Sequence, residues 1–445
     1  MTSEAARGRA RRTASIALGL TLAIAALACA ALPSAAVAAW GAPFVLAPPG
    51  TRDTLPAQIA FARNGAAAVV FTTQDEDQPA LSTAFVTLRS ASRQVEPTRR
   101  IPGAQLALAE TFAGRSLELL TGAGRADGAC CSVVSLIRLG PRGAFGRAQT
   151  VVGGLAGATL GALVNVAGGR LLVAVATEAG LWVAQSPSGD RLVSSRLLTA
   201  PSATPELLAA TVAGRVTFVA WSAAGAPPGP GPRTISLATG APSAPPGPGR
   251  TAVLASVGHR IDELALAPRG RTATAAWIES WFDPSGHYQS QLRVADLTAR
   301  HRVQTVSLPG LPASGLAFAG DAAGDQAVAW KACDATGACT LDAATRPAGG
   351  AFSSPVSLGA VDASQAPAVS VAPGGSALVA WVQSGSPLAA IASTSGAGFG
   401  PPAVLSPTVY AADITVAFGP AGKAIAAWSD AAPAPSVAGA VYRPG

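Results

Sequence analysis

Short alternating runs of apolar and polar residues recur along the whole chain, and many of them end at a tryptophan. Four clear copies are ELALAPRGRTATAAW, GLAFAGDAAGDQAVAW, AVSVAPGGSALVAW and ITVAFGPAGKAIAAW, which begin at residues 263, 315, 368 and 414. Each copy contains an alternating run, a turn with glycine and a second alternating run. Because period-2 alternation bounded by such turns is typical of half-buried strands, each copy predicts a β-hairpin.

Eight anchor positions continue this pattern through the chain, including two further clear copies and two degenerate ones. The anchors are Phe71, Leu120, Val175, Trp221, Trp277, Trp330, Trp381 and Trp428, each placed at the end of a second strand. The first and last anchors are 357 residues apart, so the repeat averages about 51 residues. We interpret the anchors as core residues that pack between neighbouring units.

Two more strands complete each unit. A third apolar run follows the anchor, as in LAAIAS (388–393). A fourth follows a glycine with a phenylalanine next to it or one residue further on, as in GAFSSPVSL (350–358). Four strands in about 50 residues is the size of one β-propeller blade. The sequence therefore predicts an all-β protein, a β-propeller of eight four-stranded blades. Seven blades are the alternative, and a stacked β-solenoid is the runner-up.

The two ends of the repeat region complement each other. The last unit stops after its third strand, VAGAVYR (437–443), whereas the segment WGAPFVL (40–46) matches the fourth-strand segment FGPPAVL (399–405) position by position. We therefore predict that an N-terminal strand completes the last blade, which closes the ring and removes an open sheet edge.

The Gly-Phe pair and the Ala-Trp anchor resemble sialidase-type (BNR-like) β-propeller repeats over nearly all of residues 39–445. The Ser-x-Asp-x-Gly-x-Thr-Trp box of that family does not occur in the sequence. The Gly-His and Trp-Asp signature of WD40 units is also missing. The resemblance therefore implies the propeller fold and no activity.

The first 38 residues predict a secretory signal peptide, which leaves residues 39–445 as a single propeller domain. A basic start with Arg11 and Arg12 precedes an apolar run from Ile16 to about Leu32, and Ala36-Val37-Ala38 follows as a cleavage site. An uncleaved anchor and a lipoprotein are the alternatives. No later apolar run reaches about 18 residues, so we expect a secreted or cell-surface protein without a membrane span after cleavage.

Charge is sparse and weakly basic. Charged residues make up 12% of the chain, and the net charge of +7 falls to about +4 without the signal segment. No cluster of lysine and arginine remains, whereas a basic stripe is the usual footprint of nucleic-acid binding. We therefore expect no nucleic-acid partner, and an extracellular protein or carbohydrate is the expected ligand.

The segments after the anchors are the places to search for ligand-binding residues, because these turns share one face of a propeller with the connections between blades. In unit 1 this segment contains Asp75, Glu76 and Asp77. Clustered carboxylates bind Ca²⁺, but the spacing is not that of an EF-hand loop. We predict no metal site, and we keep Asp75 and Asp77 as ligand-binding candidates, with an exposed acidic turn as the alternative.

Unit 5 has the longest such segment with mixed aromatic and ionisable residues, IESWFDPSGHYQSQ (278–291). Its ligand-binding candidates are Glu279, Trp281, Asp283, His287 and Tyr288. Aromatic rings with a polar group suit recognition of a sugar or a protein. The alternative is a long hairpin whose Asp283-Pro284-Ser285-Gly286 segment forms a type I turn.

The sequence offers no catalytic set. His259, His287 and His301 lack the spacing of metal ligands, and no Gly-x-Ser-x-Gly motif occurs. Glu279 and Asp283 would act as an acid–base pair only at a separation that the sequence does not fix. We predict a non-catalytic extracellular binding or scaffold module without a cofactor. A glycan-active enzyme, a sialidase-like hydrolase or lyase, is the alternative.

Four cysteines follow the signal segment, and export favours disulfides. Cys333 and Cys339 flank a five-residue turn between two strands, where directly opposite residues lie within disulfide reach, so we predict this pair. Cys130 matches Cys339 in a repeated Gly-Ala-Cys sequence, whereas Gly124 stands at the position of Cys333. A disulfide between Cys130 and Cys131 or two free thiols are the alternatives there.

Unit 4 contains a tract rich in proline and glycine, APPGPGPRTISLATGAPSAPPGPG (226–249). Such a composition does not favour a packed core. We interpret the tract as an insertion that protrudes from blade 4.

Overall fold

Each predicted repeat folds as one antiparallel sheet, and the eight sheets form a β-propeller with eight blades. The computed structural model describes residues 39–47, 57–73, 82–92, 94–124, 131–153, 160–166, 169–186, 192, 195–199, 205–223, 234–241, 246–247, 250–254, 259–298, 302–394, 396, 398–407, 410–430 and 436–444. The predicted signal segment, Asp75, Asp77 and Cys130 lie outside the described residues.

The strands are numbered in chain order. Blade 1 contains β3 (Gln58–Phe61), β4 (Ala67–Thr73), β5 (Thr83–Arg89) and β6 (Arg99–Arg100), and blade 2 contains β7 (Leu106–Ala113), β8 (Ser116–Ala123), β9 (Val133–Leu139) and β10 (Gln149–Gly153). Blade 3 contains β11 (Leu160–Val166), β12 (Arg170–Thr177), β13 (Gly180–Ser186) and β14 (Arg196–Leu197), and blade 4 contains β15 (Pro205–Ala213), β16 (Val216–Ala223), β17 (Thr234–Gly240) and β18 (Arg250–Leu254). Blade 5 contains β19 (Arg260–Arg269), β20 (Thr272–Phe282), β21 (Tyr288–Asp296) and β22 (Val303–Thr305), and blade 6 contains β23 (Ala313–Gly320), β24 (Gln326–Cys333), β25 (Cys339–Arg346) and β26 (Val356–Val361). Blade 7 contains β27 (Ala368–Val371), β28 (Ser376–Gln383), β29 (Ser386–Ser393) and β30 (Ala403–Val404), and blade 8 contains β31 (Ala411–Phe418), β32 (Ala424–Asp430) and β33 (Ser436–Arg443). Two N-terminal strands, β1 (Ala39–Trp40) and β2 (Phe44–Ala47), belong to the sheet of blade 8.

The first strand of each blade lies at the inner wall of the ring. Each of these strands contacts the first strand of the next blade, and β31 of blade 8 contacts β3 of blade 1. The end units of an open solenoid would not meet in this way. The prediction of a closed ring of eight blades is therefore confirmed.

The N-terminal strand completes blade 8, as predicted. β2 pairs antiparallel with β33, where Phe44 lies opposite Gly439 and Val45 opposite Ala438. The backbone N–H of Gly41 donates to the carbonyl of Val441 at 2.8 Å. The outer edge of β33 is therefore paired with the other end of the chain and is not left open.

All eight anchors are buried in the second strands of their blades. Trp277 packs against Phe218 of blade 4, and Phe71 packs against Ala427 of blade 8, so these anchors fill the interface with the preceding blade. Their predicted position at a strand end is wrong, because each second strand continues for two to five residues beyond its anchor. The continuing residues still pair with the third strand.

Part of the proline- and glycine-rich tract is a blade strand. Thr234–Gly240 forms β17, the third strand of blade 4, and its Ile235 and Leu237 are buried. The prediction of a protruding insertion is therefore wrong for these seven residues. Their alternating side chains supply the core contacts that the flanking prolines and glycines cannot make.

The predicted disulfide between Cys333 and Cys339 is present in blade 6. The two residues lie opposite each other at the ends of β24 and β25, with their Cα atoms 4.0 Å apart. In the turn between them, Oδ1 of Asp334 accepts hydrogen bonds from two backbone N–H groups. Cys131 is also disulfide-bonded, which rules out a free thiol at that position.

We expect the double variant Cys333→Ala/Cys339→Ala to be about 2 kcal/mol less stable than the wild type. Closing a loop of this length restricts the unfolded chain by roughly that amount. Urea unfolding of the two proteins at equal pH would measure the difference. A free energy of unfolding within 0.5 kcal/mol, roughly the size of a neutral surface substitution, would contradict the prediction.

Helical structure is nearly absent from the part of the chain that the structure describes. It consists there of one 3-10 turn at Pro420–Gly422, within blade 8. Among these residues, therefore, no helix has the length and apolar character needed to cross a membrane.

Candidate functional site

The hairpin of β20 and β21 in blade 5 extends beyond its counterparts. β20 has 11 residues, whereas the second strands of the other blades have seven or eight. At about 3.3 Å per residue, the additional residues lengthen this strand by about 10 Å. Glu279 and Trp281, predicted within a long turn, therefore belong to β20, and pairing between the strands continues to Phe282 and Tyr288.

Asp283 forms the turn at the tip of this hairpin. The N–H of Gly286 donates to the carbonyl of Asp283 at 2.9 Å, as the predicted turn requires, and Gly286 supplies the positive φ of 82°. Oδ1 of Asp283 accepts from the N–H groups of Ser285 and His287. The hydrogen bond from His287 is the main cause that lowers the pKa of the Asp283 carboxyl. Asp283 therefore has a clear structural role in the turn.

A β-bulge at the start of β19 places Asp262 beside the hairpin. The register between β19 and β20 shifts between Ile261 and Glu263, and such bulges redirect side chains next to functional sites. The Asp262 carboxylate accepts hydrogen bonds from Arg260 Nε, from Ser280 and, at 3.2 Å, from the Tyr288 hydroxyl. The bond to Asp262 raises the pKa of Arg260. Asp262 thus fixes the orientation of two exposed side chains.

Glu279 is a buried carboxylate on the side of the hairpin that faces blade 4. Only 1% of the residue is exposed. His259 Nδ1 lies 2.7 Å from Oε1, and Arg293 Nε lies 2.9 Å from Oε2. Both oxygens are therefore occupied, which satisfies the buried charge. The arrangement fixes the orientation of His259.

Aromatic rings lie on both faces of this hairpin. The ring of Trp281 stacks on His259 with 4.4 Å between centroids and an interplanar angle of 8°. Phe282 and Tyr288 contact each other edge to face at 5.9 Å, and 72% of Phe282 and 46% of Tyr288 are exposed. Exposed aromatic groups of this kind mark binding surfaces more often than single aliphatic residues do.

We define the blade-5 patch as the partly or fully exposed side chains around this hairpin. Its members are His259, Arg260, Trp281, Phe282 and Tyr288. The predicted residues Trp281 and Tyr288 belong to the patch, Glu279 supports it from beneath, and Asp283 and His287 form the turn at its tip. Asp75 and Asp77 lie outside the described residues, so they remain predictions.

Sequence reasoning missed His259, Arg260 and Asp262. His259 is 20 residues away from Glu279 in the chain, and their contact depends on the pairing of β19 with β20. The bulge at Asp262 has no signature in the sequence, where RIDELALAPR follows an ordinary strand pattern. The signal available in the sequence was the charged start of β19, Arg260 and Asp262, which lies in the strand before the segment 278–291.

Comparison with known proteins supports the fold alone. No protein-family model matches the sequence, and no curated protein matches it. The chain is similar to the Dos1 propeller, with a TM-score of 0.52, 9% identity and coverage of 92% of this chain and 95% of that chain. It is similar to an ulvan lyase of a new polysaccharide lyase family bound to -[GlcA(1-4)Rha3S]-, with a TM-score of 0.50, 10% identity and coverage of 77% and 93%. The α-L-arabinanase of Penicillium chrysogenum complexed with arabinobiose matches with a TM-score of 0.47, 10% identity and coverage of 91% and 98%. Because one propeller fold serves unrelated functions, function must be argued from the site.

Proposed function

We propose that this protein is a secreted, non-catalytic propeller that binds a glycan through the blade-5 patch. The observation that carries the proposal is the exposed aromatic pair Phe282 and Tyr288, held beside Arg260 by the carboxylate of Asp262. Aromatic faces next to polar groups fixed in advance bind with little loss of conformational freedom. An extracellular protein is the alternative ligand.

The position of Glu279 supports binding over catalysis. A glycosidase needs two carboxyl groups free to act on opposite sides of the scissile bond. Here Glu279 is occupied by His259 and Arg293, and Asp283 is occupied by the turn. Among solved structures with this fold, the ulvan lyase is described as bound to an oligosaccharide, which is consistent with a glycan ligand for such a propeller.

Secretion and removal of residues 1–38 complete the proposal. The disulfide between Cys333 and Cys339 supports an oxidising compartment, because such bonds are rare in the cytosol. Sequencing the N-terminus of the protein recovered from the culture medium would test this part. The expected result is a mature protein that begins at Ala39. A protein that stays inside the cell and keeps its first 38 residues would overturn this part of the proposal.

We expect the double variant Phe282→Ala/Tyr288→Ala to bind glycans at least tenfold more weakly than the wild type. The ligand would lose stacking and contact area. The free energy of unfolding would change little, because both rings are exposed. Binding to an array of neutral and acidic oligosaccharides, followed by titration of the best ligand, would measure the change.

Val404→Ala is the matched control, since Val404 is an exposed apolar residue on blade 7. It should leave binding unchanged. An array without any bound glycan, or an equal loss in Val404→Ala, would overturn the proposed function. Sugars released from the array would favour the enzymatic alternative instead.

A further inference from the structure

A cavity of about 180 Å³ lies between blades 1 and 2, at the opposite end of the blades from the blade-5 hairpin. It is bordered by the turns that follow β3 and β7, which join first strands to second strands, whereas the blade-5 hairpin joins a second strand to a third. An apolar cavity of about 150 Å³ is large enough to hold benzene. The space therefore has room for one small organic molecule.

The floor of the cavity is apolar. It is formed by side chains of the core between the two blades: Leu88, Phe112, Leu117 and Leu139. Leu117 and Leu139 are buried, so they close the cavity on the side of this core. Ala62 and Ala66 line it from the turn of blade 1, and their single methyl groups leave the space unfilled. Such a floor suits the apolar part of a ligand, which gains free energy when it leaves water.

The rim of the cavity is polar and includes an exposed arginine. Asn64, Ser90 and Glu96 line it from blade 1, and Arg115 lines it from blade 2. Glu96 is paired with Arg99 at 3.0 Å, so its charge is offset. The guanidinium of Arg115 has no hydrogen bond or ion pair with any residue in the described part of the chain. Its donors are therefore available to an acceptor on a ligand.

The charges next to the rim add up to a positive value. Two further exposed arginines, Arg63 and Arg142, lie in the turns that line the cavity, and the ion pair at the rim adds no net charge. Three other charged residues alternate along their strands with residues that face the cavity, so their side chains point to the opposite faces: Arg89, Glu118 and Arg138. A positive rim attracts an anionic ligand and disfavours a cationic one.

We propose that this cavity is a second binding site, which takes a small carboxylate with an apolar ring or a short apolar chain. The apolar part of the ligand packs on Phe112 and Leu117, and the carboxylate pairs with Arg115 at the rim. Arginine donates two parallel hydrogen bonds to a carboxylate, which makes this pairing stronger than one between neutral groups. All the described residues that line the cavity belong to blades 1 and 2, so the inference does not depend on the blade-5 patch.

The test titrates the full protein with benzoate, phenylacetate and hexanoate, with calorimetry as the measurement. We expect at least one of these carboxylates to bind, and its uncharged amide to bind about tenfold more weakly, because the amide cannot form the charged pair with arginine. Arg115→Gln should weaken binding of the carboxylate by about the same factor. Ala66→Leu adds a side chain on the face of β4 that lines the cavity, and it should abolish binding.

Arg215→Gln is the matched control, since Arg215 is exposed in the corresponding turn of blade 4 and follows the same Ala-Gly pair. It should leave binding unchanged, and urea unfolding confirms that all three variants fold. Three outcomes would each overturn the inference: no binding of any of the three carboxylates, equal binding of a carboxylate and its amide, or unchanged binding in Ala66→Leu. None of them bears on the proposed function, which is tested with glycans and with Phe282→Ala/Tyr288→Ala.

Discussion

Replacing Glu279 with glutamine is expected to lower the free energy of unfolding by about 3 kcal/mol. A glutamine amide has one acceptor oxygen and one donor NH₂ group, so it cannot accept from both His259 Nδ1 and Arg293 Nε. One of the two contacts then loses its carboxylate acceptor, and the charge of Arg293 loses the negative charge that offsets it. Removal of one member of a buried pair typically costs about 3–5 kcal/mol, and the partial exposure of both partners favours the lower end.

The same substitution should weaken ligand binding, because His259 would lose the contact that fixes its orientation. Urea unfolding and titration with the best glycan ligand measure the two effects separately. Glu118→Gln is the matched control, since Glu118 is equally buried and pairs with Arg138 at 2.5 Å in blade 2. It should destabilise the protein and leave binding intact. If Glu279→Gln unfolds within 1 kcal/mol of the wild type, the buried pair does not have the role assigned to it.

The repeat was readable from the sequence because its signal is local. Period-2 alternation and glycine turns depend on a few consecutive residues, and each anchor follows its turn at a nearly constant distance. The eight copies also reinforced one another, so that degenerate anchors such as Leu120 could be placed by spacing. Blade number and ring closure followed from the same regularity.

The candidate site was less readable because its contacts are set by pairing between strands. A one-residue bulge at Asp262 changes the side on which that carboxylate lies, and no local pattern distinguishes the bulged strand from a regular one. The aromatic residues of the hairpin were found by composition. The groups that orient these aromatic residues were not found, because Asp262 and Tyr288 are 26 residues apart in the chain.

The third strand of blade 4 was missed for a different reason: a local strand pattern is present there, but the surrounding composition hid it. The flanking prolines and glycines dominate the composition of residues 226–249, and they obscured a short alternating segment. Ile235 and Leu237 are buried in the core shared with blade 5, so tertiary packing decides the outcome there. Composition averaged over a window cannot detect a strand that is shorter than the window.

Glu110 is expected to make the stability of the protein fall as the pH rises. It lies in β7, the inner strand of blade 2, where burial raises the pKa of its carboxyl from 4.5 to about 8. Between these two values the unfolded chain has released the proton and the folded protein retains it. Stability therefore decreases with pH across this window, and it stops decreasing above about pH 8, where both states are ionised.

The variant Glu110→Gln does not titrate and should be more stable than the wild type at high pH. The full difference in pKa would correspond to roughly 1.4 kcal/mol per unit. Because the side chain keeps partial contact with solvent, we expect about half of the total, which is about 2–3 kcal/mol at pH 9, and almost no difference at pH 4. Urea unfolding at pH 4, 6, 8 and 9 would trace the divergence. Glu178→Gln, which removes an acid from an exposed turn of blade 3, controls for the change in net charge. Parallel curves for Glu110→Gln and the wild type would show that the carboxyl of Glu110 ionises in the folded ring without a penalty, and the inner wall of blade 2 would then be hydrated at that position.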